Sequence, residues 1–199
     1  MCGRYFIDPV LAGEALKEAV ESLEKRAGAP VKTGEICPGD EAAVFARAKS
    51  GKATLFRMKW GWKNAKNRLV INARSETAET SAMFSESMAA RRCLIPASWY
   101  FEWEEREDGK VKQEIAPAGG QAFYLAGLYR MENDQPVFVV LTRDAAPGIA
   151  HIHDRMPVML KGDAARSWLG SLDEARSALN EAQTELAFQP AEAEKEGGA

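Results

Sequence analysis

The sequence predicts an α+β fold: one compact domain with a curved, barrel-like, mostly antiparallel sheet and a few flanking helices. Three observations carry this. Short runs rich in β-branched and aromatic residues outnumber helical patterns. Regular strand–helix–strand alternation is absent, and no GxGxxG, GxxxxGKS or GxxxxGKT element occurs, which excludes a dinucleotide-binding or P-loop domain. At 199 residues, 46% hydrophobic and 28% charged, the chain has ordinary globular composition and the length of one domain.

The elements are read in order. Asp8 as cap and Pro9 in the first turn open a helix. Val10, Leu16, Val20 and Leu23 then keep helical spacing to about Arg26, and Gly28 and Pro30 end it. Strand-like runs follow at 43–47, 53–60 and 69–73. Residues 79–91 read as a helix with Met83, Phe84 and Met88 on its apolar side. Residues 93–97 and 99–105 are extended, and Asp108-Gly109 signals a hairpin between 99–105 and 111–115. The strongest strand candidates are 122–129 and 137–142, with another at 156–160. Helices close the domain at 164–169 and 173–184. The domain is expected over 1–190, with 191–199 a disordered tail.

Three cysteines cannot all pair and none lies in a CxxC, so neither a disulfide scaffold nor a cysteine zinc site is indicated. No run approaches the roughly 18 apolar residues of a membrane span, and no secretion signal is visible, which points to a cytoplasmic protein. The net charge of -3 hides an asymmetry. From Ala42 to Ser75 there is no acidic residue, yet cations run from Arg47 to Arg74, while the chain from Asp173 onward is acidic. Charge segregated in this way suggests a polyanion partner, although cations clustered by chance on solvated faces would look the same.

Four constellations could carry chemistry. Removal of Met1 would leave Cys2 with a free α-amine next to its thiol. That amine, of pKa near 7.7–8.0, is partly neutral at pH 7, and Arg4 is a cation able to activate the thiol. Together they can trap an aldehyde as an imine and then a thiazolidine. A frayed terminus with an accidental cysteine is the plain alternative. In Val70-Ile71-Asn72-Ala73-Arg74, Asn72 and Arg74 point to one side of a strand, suited to an amine and a phosphate, or simply to solvent. In Trp99-Tyr100-Phe101-Glu102-Trp103, aromatic neighbours can raise the pKa of Glu102 and fit it to proton transfer, unless it faces water. Both histidines lie in His151-Ile152-His153-Asp154-Arg155. Further metal ligands are missing at any recognisable spacing, so no metal and no cofactor is called for. Either histidine could titrate near neutral pH or merely be exposed. Trp60, Trp62 and Phe84 are candidate stacking surfaces for a single strand. An N-terminal-nucleophile amidotransferase and a non-catalytic single-strand-binding module remain open on these residues.

MCGRY, WGW, VINARSET, WYFEW and HIHDRMPV, in this order, closely resemble the SRAP family of SOS-response-associated, abasic-site-processing proteins. The resemblance runs from Met1 to about Trp168. It implies a compact α+β domain with a positive groove for single-stranded DNA. It implies a DNA-damage function, in which Cys2 forms a covalent thiazolidine with the ring-opened aldehyde of an abasic site and shields the strand. It further implies a lyase-like, monomeric enzyme without cofactor or metal, whose partner is single-stranded DNA containing abasic sites, with autopeptidase removal of Met1. By motif match, Cys2 is the nucleophile, Asn72 positions its amine, Glu102 shuttles protons and His153 assists ring opening. Arg4 and Arg74 hold phosphates, while Trp60, Met83 and Phe84 shape the groove and contact bases. The chain departs from the family pattern at Glu35, where an Asn is usual, and in the Lys- and Asn-rich loop at 63–67.

Overall fold

The computed structural model describes residues 2–8, 13–120 and 122–191. Met1, Pro9 and Val10 of the expected first turn, and the expected tail beyond Ala191 lie outside the described residues. In chain order the elements are β1 (Arg4–Ile7), α1 (Glu14–Ala27), β2 (Gly34–Ile36), β3 (Glu41–Arg47), β4 (Ala53–Trp60), β5 (Trp62–Lys63), β6 (Leu69–Val70) and β7 (Asn72–Arg74). Then come α2 (Ser85–Ala90), β8 (Arg92–Ala97), β9 (Trp99–Arg106), β10 (Gly109–Pro117), β11 (Phe123–Glu132) and β12 (Gln135–Asp144). The last are β13 (Arg155–Pro157), β14 (Met159–Leu160), α3 (Gly162–Trp168), α4 (Leu172–Asn180) and β15 (Leu186–Pro190). No described helix is long and apolar enough to cross a membrane.

The expected α+β, barrel-like architecture is present. Strands β12, β4, β3, β8 and β11 pair in a ring that closes through the β11–β12 hairpin. Every pair in the ring is antiparallel except β12–β4, where Phe138 lies beside Trp60. The hairpin turns at Asn133 and Asp134, both with positive φ (47° and 63°), as a tight primed turn requires. A second, antiparallel sheet has the order β15-β10-β9-β1-β2. Ser98 joins the two sheets between β8 and β9: its amide donates to the Phe6 carbonyl (2.8 Å), and its hydroxyl accepts from the Asp8 amide (2.9 Å). The N-terminal strand is therefore seated at the junction, between β9 and β2.

Alternation along the barrel strands sorts apolar residues to two faces. Phe138 and Val140 join one core with Tyr5, Ile36, Trp60, Ile95 and the α1 residues Leu16, Val20 and Leu23. Val137, Val139 and Leu141 join the other, with Trp62, Leu128 and Trp168 under α2–α4. Gly61 decides how the two tryptophans divide. Residues two apart on a strand would share a face, but Gly61 has φ +98° and a Cβ there would meet Leu69 at 2.8 Å. The chain turns at this glycine, sending Trp60 to one core and Trp62 to the other.

Three expectations change. The helix read over 79–91 forms only as Ser85–Ala90. Residues 77–84 run through successive turns, in which Thr80 Oγ1 donates to the Thr77 carbonyl and Ser81 Oγ accepts from the Met83 amide. Such local hydroxyl bonds compete with the helical ladder. The run 69–73 splits in two, because β6 pairs with β5 while β7 crosses to lie parallel to β12. α1 is described from Glu14, after Gly13, rather than from Asp8.

Candidate active site

Cys2 is fully buried, not frayed. β1 pulls it in: Tyr5 pairs with Tyr100 on β9 and with Ile36 on β2. Asn72 reaches it from β7, its Nδ2 donating to the Cys2 carbonyl at 2.9 Å. β7 is held in place by parallel pairing of Asn72 with Val140 and of Arg74 with Thr142. The second amide atom, Asn72 Oδ1, is buried and has no hydrogen-bond partner among the described residues. It is an acceptor in want of a donor, on the same amide that bonds the Cys2 carbonyl.

The Cys2 thiol differs from the sequence reading. Arg4 does not activate it: burial, and then the charge of Glu102, push the thiol far above its usual range. Among the described residues Sγ makes one weak hydrogen bond, donating to the Arg4 carbonyl at 3.8 Å. The guanidinium of Arg4 is instead bonded to Glu35. Burial therefore favours the neutral thiol over the thiolate at this position.

Glu102 lies on β9, 6% exposed, and its charge is felt by both Cys2 and Tyr100. Directly opposite it on β10 is Gln113, fully buried. Gln113 Nε2 donates to Glu104 at 2.7 Å, while its Oε1 is buried without a partner among the described residues. Sequence reading missed Gln113. A buried amide facing a carboxylate became visible only through the β9–β10 register.

The two histidines diverge. His151 Nε2 lies 3.9 Å from Glu104 Oε1, and its ring meets Phe188 on β15 edge-on. His153 Nδ1 accepts from the Arg155 amide at 3.0 Å and sits 2.8 Å from the Asp154 carboxylate. Arg155, also missed as a site residue, ties this loop down. Its guanidinium forks onto Glu76 (2.9 and 2.8 Å), bonds the Thr142 carbonyl (2.8 Å) and pairs with Asp144. β7 and β13 both pair with the end of β12, so the Asn72 and His153 segments converge there.

Among the other candidates, Arg74 is exposed and makes no side-chain hydrogen bond or ion pair among the described residues. Arg47 and Arg57 are not open to a partner in the same way, because they bond the carbonyls of Leu169 and of Ala29 and Pro30. Met83 and Phe84 are half-buried against the second core, with Phe84 stacked on Trp62 at 5.3 Å. Trp60 is corrected. It has no exposed surface, its Nε1 donates to the Ile71 carbonyl (3.0 Å), and it packs between Tyr5 and Phe138. A fully enclosed ring offers no face to a base. The same holds for Trp62, buried under Phe84 and the Arg130 guanidinium.

The abasic site processing protein YedK of Escherichia coli is 29% identical over 178 residues, which cover 85% of this chain and 79% of YedK. YoaM of Bacillus subtilis, also named an abasic site processing protein, is 33% identical over 130 residues, covering 58% of this chain and 56% of YoaM. Among solved structures, a phage-related protein of Bordetella bronchiseptica shares the fold with a TM-score of 0.74 at 24% identity, covering 96% of this chain and 95% of that one. A Bacteroides thetaiotaomicron protein does so with a TM-score of 0.72 at 20% identity, covering 95% and 91%. The family described as SOS response associated peptidase (SRAP) matches residues 1–195, nearly the whole length, and the chain belongs to that family.

Proposed function

We propose that this protein processes abasic sites in single-stranded DNA by forming a covalent thiazolidine through Cys2, after Met1 has been removed. The observation that carries the reading is the setting of Cys2: buried at the head of β1, bonded through its carbonyl to Asn72, and within the field of Glu102. The relatives' names supply the substrate class.

The ring-opened abasic sugar presents an aldehyde. The α-amine of Cys2 attacks it, and loss of one water gives an imine. The sulfur then adds to the imine carbon, the S–C bond forms, and the thiol proton ends on the ring nitrogen. Both stages move protons. Glu102, whose charge reaches Cys2, is the carboxylate assigned to accept the thiol proton and return it, and His153 is the group assigned to opening the sugar. Asn72 Oδ1 is the acceptor suited to hold the α-amine. Arg74 is assigned to a flanking phosphate, with Met83 and Phe84 on the wall of the groove.

The test is intact-mass measurement of the purified protein before and after incubation with a single strand carrying one abasic site. A mass lacking Met1, and a heat-stable adduct equal to protein plus DNA minus one water, is the expected outcome. Cys2→Ser keeps the amine but leaves at most a labile imine. A heat-stable adduct formed equally well by Cys2→Ala would overturn the mechanism. An amidotransferase would ignore the DNA, and a plain binder would leave no adduct.

A further inference from the structure

The face of the second sheet that carries Arg4 holds a compact charged cluster, centred on Glu35. Glu35 on β2 spans two cations: Oε1 accepts from Arg4, and Oε2 accepts from Lys112 Nζ at 2.5 Å. The strand register explains why they meet. Arg4 lies opposite Phe101, Lys112 opposite Trp103, and Glu35 opposite Phe6, so all project from one face of four adjacent strands. The aromatic rings floor the cluster, with Lys112 Nζ 3.9 Å from the Phe101 ring centre and the Arg4 guanidinium 5.5 Å from that of Trp103. The side chains remain partly open, 45% for Arg4 and 26% for Lys112, against 19% for Glu35. Arg4 is two residues from Cys2, at most about 7 Å along the chain.

Two cations fixed on aromatic rings, one of them two residues along the chain from Cys2, form an oxyanion cradle, and its occupant here is the protein's own carboxylate. We propose that Arg4 and Lys112 form a subsite for a phosphodiester flanking the lesion, held by Glu35 until DNA displaces it. The inference rests on the abasic-DNA reading above. It adds Lys112 to the binding residues and makes Glu35 a competitor of the strand. Burial works to raise the Glu35 carboxyl, but the bonds from Lys112 and Arg4 outweigh it and hold the group below the usual carboxylate range. Glu35 therefore stays ionised at neutral pH, and a competing anion rather than a proton must release it.

The experiment measures binding of an undamaged, fluorescently labelled single strand by anisotropy across a salt series. Wild type is compared with Glu35→Gln, Glu35→Asn, Lys112→Gln and the double variant Glu35→Gln/Lys112→Gln. Thermal melts establish which variants fold, and Glu35→Asn serves if Glu35→Gln does not. Neutralising Glu35 is expected to raise affinity several-fold and to steepen the slope of log affinity against log salt by about 0.7 or more, one further phosphate on a single strand. Adding Lys112→Gln should reverse that gain. Unchanged or weaker binding by the folded Glu35 variants overturns the proposal and makes Glu35 a strut between β1, β2 and β10. Crosslinking of an abasic strand by wild type is measured alongside. If wild type crosslinks and Glu35→Gln binds no better, only the latch fails. If wild type neither binds nor crosslinks, the abasic-DNA reading fails and takes the latch with it.

Discussion

Asn72→Ala isolates what the β7 amide contributes to Cys2, the proposed nucleophile. Among the described residues Asn72 makes one side-chain bond, from Nδ2 to the Cys2 carbonyl at 2.9 Å, and leaves Oδ1 buried without a partner. A net amide–carbonyl bond is worth about 1 kcal/mol. If the freed α-amine donates to Oδ1, a second bond of the same size appears in the reactive state. Losing both costs about 2 kcal/mol of positioning, or roughly 30-fold in rate at 1.4 kcal/mol per tenfold. The resting fold loses only the first bond and is also relieved of a buried, unpaired acceptor. The melting temperature should therefore fall by no more than about 4 °C. The assay is single-turnover crosslinking to an abasic single strand at saturating protein, with affinity for an undamaged strand measured in parallel. The expected result is slow crosslinking at nearly wild-type affinity. Wild-type crosslinking rates would refute the positioning role. An equal loss of rate and affinity would place Asn72 in strand binding instead.

Arg74→Ala should flatten the salt dependence of single-strand binding by about 0.7 in log–log slope, because Arg74 is exposed and has no side-chain partner among the described residues; an unchanged slope removes it from phosphate contact. Trp60→Ala should destabilise the fold by about 3–5 kcal/mol, read by chemical denaturation, because the ring is enclosed between Tyr5 and Phe138. A folded Trp60→Ala protein that loses only DNA affinity would contradict its place in the core. The Glu76–Arg155 fork gives a pH-dependent signature. Burial works to raise the Glu76 carboxyl, but the Arg155 bonds prevail and its folded pKa lies below the usual value. The stability it contributes is thus fully present above the ordinary carboxylate pKa, about 4.3, and is lost as pH falls through the lower folded value. The melting-temperature gap between wild type and Glu76→Gln should be open at pH 7 and close in acid. A gap that widens in acid would reverse the assignment.

Local pattern carried much of the architecture. The β9–β10 hairpin was legible from alternation and Asp108-Gly109, and the barrel strands β4, β8, β11 and β12 from runs of branched and aromatic residues, because both signals depend on neighbours a few positions apart. The short strands β1, β2 and β15 were not legible. Three to five residues hold no periodicity, and these become strands only because neighbours offer edges to pair with: β9 for β1, β1 in turn for β2, and β10 for β15.

At the site, the sequence by itself determined which residue types were present and in what order: a cysteine at the head of the chain, an amide and a guanidinium two apart, a carboxylate among rings, and the pair of histidines. Only the tertiary structure decided which way each one faces. Trp60 and Trp62 read as open stacking surfaces, yet the positive φ of Gly61 sends them into opposite cores. Arg4 read as an activator of the thiol, yet its charge is committed to Glu35, and burial sets the thiol instead. Gln113 and Arg155 gained their places from the β9–β10 register and the closure of the barrel on β12. Burial and pairing are properties of groups brought together from 30 to 80 positions apart, as in the Arg4–Glu35, Cys2–Asn72 and Glu76–Arg155 contacts. No window of local sequence contains both partners, so the chemistry of each pair exists only once the chain has closed on itself.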